Sequence, residues 1–233
     1  MISINRLKNA LLLGLGLLCA IPTLAQDDWD KDIDDRLKSV LLWHRDFVSY
    51  PNVADNFEDM ATNFSVAYER FKGQGFTVSS LHSETVPVFF AEYEVDPKAT
   101  TILYYLHLDG QAVNPANWDQ EDPFKPVLKQ LNGDAEWEEI PWGSLEQEID
   151  PEWRIFGRAA ADDKAPITML LTAMEIMNAN GNKPKHNIKV ILDLQEEAVG
   201  TVLDQLDASG VADNTIVVFT SDNGGLSTSE GSN

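Results

Sequence analysis

From about Asp30 to Tyr50 the apolar positions recur at helical spacing, with Ile33, Leu37, Val40, Leu41, His44 and Phe47 on one stripe. A second helix is predicted from about Asp55 to Lys72, with Met60, Phe64, Ala67 and Phe71 turned inward and Gly73 to Gly75 as its stop. Apolar runs then predict strands at about Phe76–Ser80, Pro87–Glu94 and Thr101–Leu108. Little periodicity survives from Gln111 to Glu152, a stretch holding 11 acids and Trp118, Trp137 and Trp142. A connection of that length inside a compact domain is expected to be functional or to rim a site. Regular pattern resumes with a helix over about Ala165–Asn180, ended by Asn-Gly, and a buried strand over Asn187–Leu194. A helix at about Val202–Ala208 and a strand at Thr215–Thr220 complete a strand–helix–strand order. Interleaved helices and strands make the fold α/β, and the adjacent strands read in Pro87–Leu108 make its twisted sheet mixed, with flanking helices.

Ahead of the first helix, Arg6 and Lys8 precede an apolar run from Ala10 to Ile21, and Thr23-Leu24-Ala25 offers small residues at the −3 and −1 positions of a cleavage site. The run is shorter than the roughly 20 residues of a membrane span. Residues 1–25 therefore read as a secretory signal peptide cleaved after Ala25. A lipid anchor on Cys19 is the alternative, and the bulky Leu18 before it counts against that. Cys19 is the only cysteine, so the mature chain can use neither disulfides nor thiolate catalysis. The expected compartment is the periplasm or the outside of the cell, with no membrane anchor after cleavage.

With 43% hydrophobic residues among 233, the chain can bury a real core, which excludes disorder as the default. Its 38 acids against 17 bases give a formal charge of −21, which makes nucleic acid and anionic lipid unfit partners. An acid surplus is compatible with cation binding and equally with a solvated, salt-tolerant surface.

Three clusters carry the candidate chemistry. His107-Leu108-Asp109 ends the third predicted strand, and residues two apart in an extended chain face one side. A carboxylate so placed can hold the free ring N–H of a metal-bound histidine, although a solvated pair is the simpler account of His-x-Asp alone. Asp162-Asp163 stands just before a helix, where acids also complement the helix dipole. Glu196-Glu197 follows the strand Ile188–Leu194, at the carboxyl edge where ligands gather in open α/β sheets. Each cluster has a structural explanation; the three in this order point to a metal site.

In order and wording they resemble the dizinc metallopeptidase family of aminoacylases, carnosinase-like dipeptidases and glutamate carboxypeptidases. The likeness covers about residues 30–198 and rests on Tyr105-Leu-His107-Leu-Asp109-Gly-Gln111, on Trp118 with Asp122-Pro-Phe124, on Ile155-Phe-Gly157-Arg-Ala-Ala-Ala-Asp162-Asp163-Lys164-Ala-Pro166, and on Val190-Ile-Leu-Asp-Leu-Gln195-Glu196-Glu197. The dipeptidase branch fits best. The resemblance implies a zinc-exopeptidase-like catalytic half over residues 26–198, two zinc ions in the complete family, and a small peptide or N-acyl amino acid as substrate. It implies His107 as a zinc ligand, Asp109 as the carboxylate that orients it, Asp162 as the bridge between metals and Asp163 as a neighbour. Glu196 would be the general base and Glu197 a zinc ligand. Gly157 and the small run Ala159–Ala161 would let the backbone turn tightly beneath the metals; the family commonly has Gly at the position of Ala159.

The family also uses a later acidic ligand, a distal histidine and a lid, whereas the histidines here are His44, His82, His107 and His186. The chain is therefore expected to be a truncated and inactive half. From Ala198 to Gly225 the wording resembles the type I sulfatases, which assigns residues 199–233 to a sulfatase-like helix–strand unit and implies Asp222 and Asn223 as oxygen ligands of Ca²⁺. A plain Ser-Asp-Asn-Gly-Gly turn is the alternative. The sulfatase nucleophile motif, Cys or Ser before x-Pro-x-Arg, is absent. A chimera with its seam near 197–200 is the resulting expectation. Three functions stay open: an exported dizinc peptidase, a sulfatase fragment, and a non-catalytic metal-binding domain. Nothing in the sequence sets the oligomeric state.

Overall fold

The structure, a computed structural model, describes residues 2–3, 26–81, 87–133, 136–197 and 215–219. Helix α1 runs over Gln26–Val48, α2 over Phe57–Gly73 and α3 over Lys164–Ala179. All six residues of the first predicted stripe are buried, His44 among them. The side chain of Asn56 caps α2 by accepting from the backbone N–H groups of Glu58 and Asp59, whose carboxylates also suit the positive end of the helix dipole. Past its end, Gly75 takes φ +91°, a left-handed conformation that lets the chain turn into the sheet.

The strands are β1 (Ile2–Ser3), β2 (Thr77–Leu81), β3 (Val88–Tyr93), β4 (Thr101–His107), β5 (Val127–Leu131), β6 (Trp137–Ile140), β7 (Arg154–Phe156), β8 (Asn187–Asp193) and β9 (Thr215–Phe219). Five form the main sheet in the order β2-β3-β8-β4-β9. The pairs β2/β3 and β3/β8 are antiparallel, and β8/β4 and β4/β9 are parallel, so the sheet is mixed as expected. The expected adjacency of the strands within Pro87–Leu108 does not hold, because β8 lies between β3 and β4. Strand β8 is apolar on both faces apart from Lys189 and its ends, which suits the centre of a sheet. Its first residue also fixes the link that skips it: Asn187 Oδ1 accepts from the N–H groups of Val95 and Asp96, and Nδ2 donates to the carbonyls of Asp96 and Ala99.

A second small sheet, β1-β7-β5-β6, takes β5 and β6 from within the irregular connection expected from Gln111 to Glu152 and β7 from just beyond it. Its strands are three to five residues long beyond the two-residue β1, too short for alternation to stand out among prolines and acids. The expected helix at Val202–Ala208 lies outside the described residues. The expected last strand is present as β9, beside β4 in the main sheet.

The three helices share one hydrophobic core with one face of the main sheet. The even-numbered positions Ile102, Tyr104, Leu106 and Leu108 face it together with Ile188, Val190, Leu192 and Leu194. The odd-numbered face carries Leu103 and Ile191, packed with Val88, Phe90 and Tyr105. His107 belongs by alternation to this second face, at its carboxyl end.

Candidate metal centre

Strand β4 ends on His107, and the register sets it opposite Asp193, the last residue of β8. The two parallel strands thus deliver His107 and the Glu196-Glu197 turn to one rim. The third contribution comes from the segment between β7 and α3, which carries Asp162 and Asp163 across a cis peptide bond. His107 Nε2 lies 2.8 Å from Asp162 Oδ1. Ligand-capable atoms of His107, Glu196 and Glu197 all lie within 4.8 Å of one another. Residues drawn from three separated stretches of sequence therefore gather at one place.

The surrounding hydrogen bonds divide the acids by task. Asp109 is fully buried; its Oδ2 accepts from the Glu197 backbone N–H at 3.0 Å, and its Oδ1 stands 3.5 Å from His107 Nδ1. The Asp109 carbonyl is nearer to the same ring nitrogen, at 3.1 Å, so this residue orients the imidazole through both its backbone and its carboxylate. Asp163 heads α3 without capping it; its Oδ2 instead accepts from the His107 backbone N–H at 3.0 Å. Asp193 accepts from the Tyr105 hydroxyl and from the Gln195 backbone N–H, both at 2.9 Å, which sets the turn leading to Glu196.

Burial alone would push the His107 pKa down, but the Asp109 and Asp162 carboxylates more than reverse this and carry it up to about 11. Without a metal the imidazole is the cation of the cluster. Burial also raises the Glu196 carboxyl, and the neighbouring Glu197, Asp109 and Asp162 charges add to this while His107 opposes it. Crowded acid around a single imidazole is a setting that favours a bound cation.

Three supporting residues carried no role in the sequence. Gln111 Nε2 donates to Glu197 Oε2 at 2.9 Å, and its place in the alternation 107, 109, 111 was the available signal. Asn52 is buried and donates to the Leu108 carbonyl, while its own carbonyl accepts from Gly110 N–H. A β-carbon at Gly110 would stand 3.1 Å from the Asn52 amide, so any larger residue would have to push that amide aside. Gly157 likewise approaches Pro126 and Val48 closely, but the left-handed turn of its segment falls on Ala159, at φ +62°. The sequence expectation of a tight turn holds, and its left-handed residue is Ala159, the position at which the resembled family commonly has glycine. Asp222 and Asn223, expected as calcium ligands, lie outside the described residues.

The model of Peptidase family M20/M25/M40 matches residues 103–214. Over those residues, a little under half of its length, the chain is similar to the M20 peptidases. The match passes the seam expected at 197–200 and ends at residue 214, immediately before β9. Among relatives, beta-Ala-His dipeptidase of Homo sapiens is 28% identical over 120 residues, 52% of this chain and 19% of that protein. Cys-Gly metallodipeptidase of Saccharomyces cerevisiae is 26% identical over 155 residues, 65% of this chain and 28% of that one. This chain thus spans 19% and 28% of the length of these two relatives. The crystal structure of human carnosine dipeptidase 1 superposes with a TM-score of 0.59 at 17% identity, covering 93% of this chain and 41% of that one. Its likeness places the mixed α/β sheet with its flanking helices in the fold of M20 catalytic domains.

Proposed function

We propose that residues 26–197 form the metal-binding part of an exported dizinc hydrolase that cleaves dipeptides or N-acyl amino acids. The carrying observation is the convergence of His107, Glu196 and Glu197 within 4.8 Å, with Asp162 at 2.8 Å from the same imidazole. Ligand atoms on a tetrahedral zinc with bonds of 2.0–2.2 Å stand about 3.3 Å apart, so small side-chain rotations close this group on an ion. One imidazole among carboxylates is a donor set that suits zinc. His107, Asp162 and Glu197 are the residues that would hold the ions, with Asp162 shared. Zinc bound there supplies Lewis acidity, lowering the pKa of a water and polarising the scissile carbonyl. Glu196, beside these ligands, would serve as the general base, taking a proton from the attacking water and giving it to the leaving amine. Asp109 keeps the imidazole oriented, and Gln111 and the Asp109 carboxylate keep Glu197 in place.

Calorimetric titration of the full chain with Zn²⁺ and, separately, Ca²⁺ tests this reading. Zinc is expected to bind, and His107→Ala or Glu197→Ala to weaken it at least about 10-fold. Zinc affinity untouched by either change refutes the site. Calcium binding without zinc binding would move the function to Asp222 and Asn223. Export is tested by sequencing the mature N-terminus of protein recovered from periplasm or medium. Gln26 is expected there; a retained Met1 or a lipid on Cys19 refutes it.

A further inference from the structure

Helix α1 and the segment that carries Asp162 are fastened by two buried polar contacts running in opposite directions. From α1, the His44 ring places Nε2 2.9 Å from the Ala160 carbonyl and Nδ1 2.8 Å from Thr168 Oγ1 on α3. From the first position of α3, Lys164 Nζ reaches back to the carbonyls of Phe47 and Tyr50 at the end of α1, at 2.8 and 2.7 Å. His44, Lys164 and Thr168 are all fully buried. A carbonyl can only accept, so Nε2 carries the proton, and Nδ1 of the neutral ring is an acceptor beside the Thr168 hydroxyl, whose single proton is shared with the Lys164 carbonyl at 3.0 Å. Between these anchors lie Ala159, in the left-handed conformation, and Asp162-Asp163. A non-glycine residue stays in that conformation only where its surroundings over-determine it, and the Ala160 carbonyl is the buried backbone group that His44 holds.

We infer that His44 is a positioning residue of the metal centre, holding the Ala159–Ala161 backbone from helix α1 so that Asp162 faces His107. The inference rests on the reading of Asp162 as a metal ligand. It assigns a role to a side chain that the helical stripe alone would class as core filling. Two variants of the full chain separate the role from simple packing. His44→Gln keeps an N–H donor for Ala160 and an acceptor for Thr168, while His44→Leu fills the space and supplies neither.

Hydrogen exchange on metal-free protein reports the loop, and titration with Co²⁺ alone, followed by its visible band, reports the ligand geometry. For His44→Leu, exchange over residues 157–163 is expected to rise about 10-fold or more while β8 keeps its protection, with a fall in Co²⁺ affinity of about 10-fold. His44→Gln is expected to stay near the parent in both and to keep the parent Co²⁺ spectrum. Unchanged loop exchange and Co²⁺ binding in His44→Leu overturn the inference. So does a His44→Gln variant that keeps β8 protection yet exposes 157–163. Should His44→Leu lose protection throughout, the His44→Gln comparison decides alone. A parent chain that binds no Co²⁺ sinks the metal-site reading and, with it, the role toward Asp162, whereas loop exposure with normal Co²⁺ binding sinks only this inference.

Discussion

Ala159 is the one non-glycine residue at positive φ among the described residues, and its neighbour Ala160 offers a control. Both methyl groups are buried, so replacement by glycine removes the same surface and loosens the unfolded chain equally. Only at 159 does glycine also relieve a left-handed conformation, worth about 1–2 kcal/mol. Ala159→Gly is therefore expected to be more stable than Ala160→Gly by about that amount in urea melts, and equal midpoints would refute the strain. His44 makes a second residue-scale prediction. Burial, aided by the nearby Lys164 charge and opposed by the Ala160 hydrogen bond, lowers its pKa from 6.5 to about 4. As pH falls below 6.5 the unfolded chain takes up a proton that the folded ring refuses, so stability is lost between pH 6.5 and 4. The loss is about 3 kcal/mol for this one group. His44→Gln should remove that part of the pH dependence; parallel curves for parent and variant would refute it. At this scale His107, Asp162, Glu196 and Glu197 were legible because the acids and histidine sit at element ends in a known order. The partners of His44 were not, since a histidine on an apolar stripe gives no sign of a carbonyl 116 residues away.

Among elements, the first two helices were the most legible, because their stripes match the buried faces at every position except Phe64, which is half-buried. The order of strands was not. Periodicity marks β3 and β4 as strands but says nothing of which neighbour each takes, and β8 intervenes through pairings distant in sequence, such as Phe89 with Leu192 and Ile102 with Ile188. Strands β5, β6 and β7 were missed because three to five residues are too few to carry a pattern. Asn187 is the side chain that holds the β3–β4 link away from a hairpin. Its amide makes four hydrogen bonds to the backbone of Val95, Asp96 and Ala99. Asn187→Ala leaves those groups without their buried partner and is expected to cost about 2–3 kcal/mol in chemical denaturation. A cost below about 0.5 kcal/mol would mean that water replaces the amide at no penalty and that the link is held elsewhere.

Turnover is a property of the whole molecule, and the arrangement of the described histidines is expected to limit it. His44 is committed to Ala160 and Thr168, and His186 precedes β8 at the end of the sheet opposite His107. Among the described residues the centre therefore has one imidazole, with Asp162 and Glu197 as the carboxylates assigned to the ions. Sharing Asp162 between two metals leaves each with two protein ligands, whereas zinc sites ordinarily keep at least three. Each lost ligand weakens retention of the ion, and even the loss of a residue behind the ligands costs about 10- to 100-fold. Substrate positioning adds a separate requirement worth several kcal/mol of barrier, and the described residues around the centre are acids that would repel the carboxylate of a dipeptide. The 233-residue chain by itself is thus expected to turn over dipeptides and N-acyl amino acids far below about 1 s⁻¹, the lower end of ordinary enzyme rates. The assay is purified chain with excess Zn²⁺ or Co²⁺ against a panel of both substrate classes. Turnover near 1 s⁻¹ that disappears in Glu196→Ala would refute this limit and require a further ligand from within the chain. Asp222, 25 residues after Glu197 and three residues past the end of β9, is the side chain to replace first, because β9 runs parallel to β4, the strand that ends on His107.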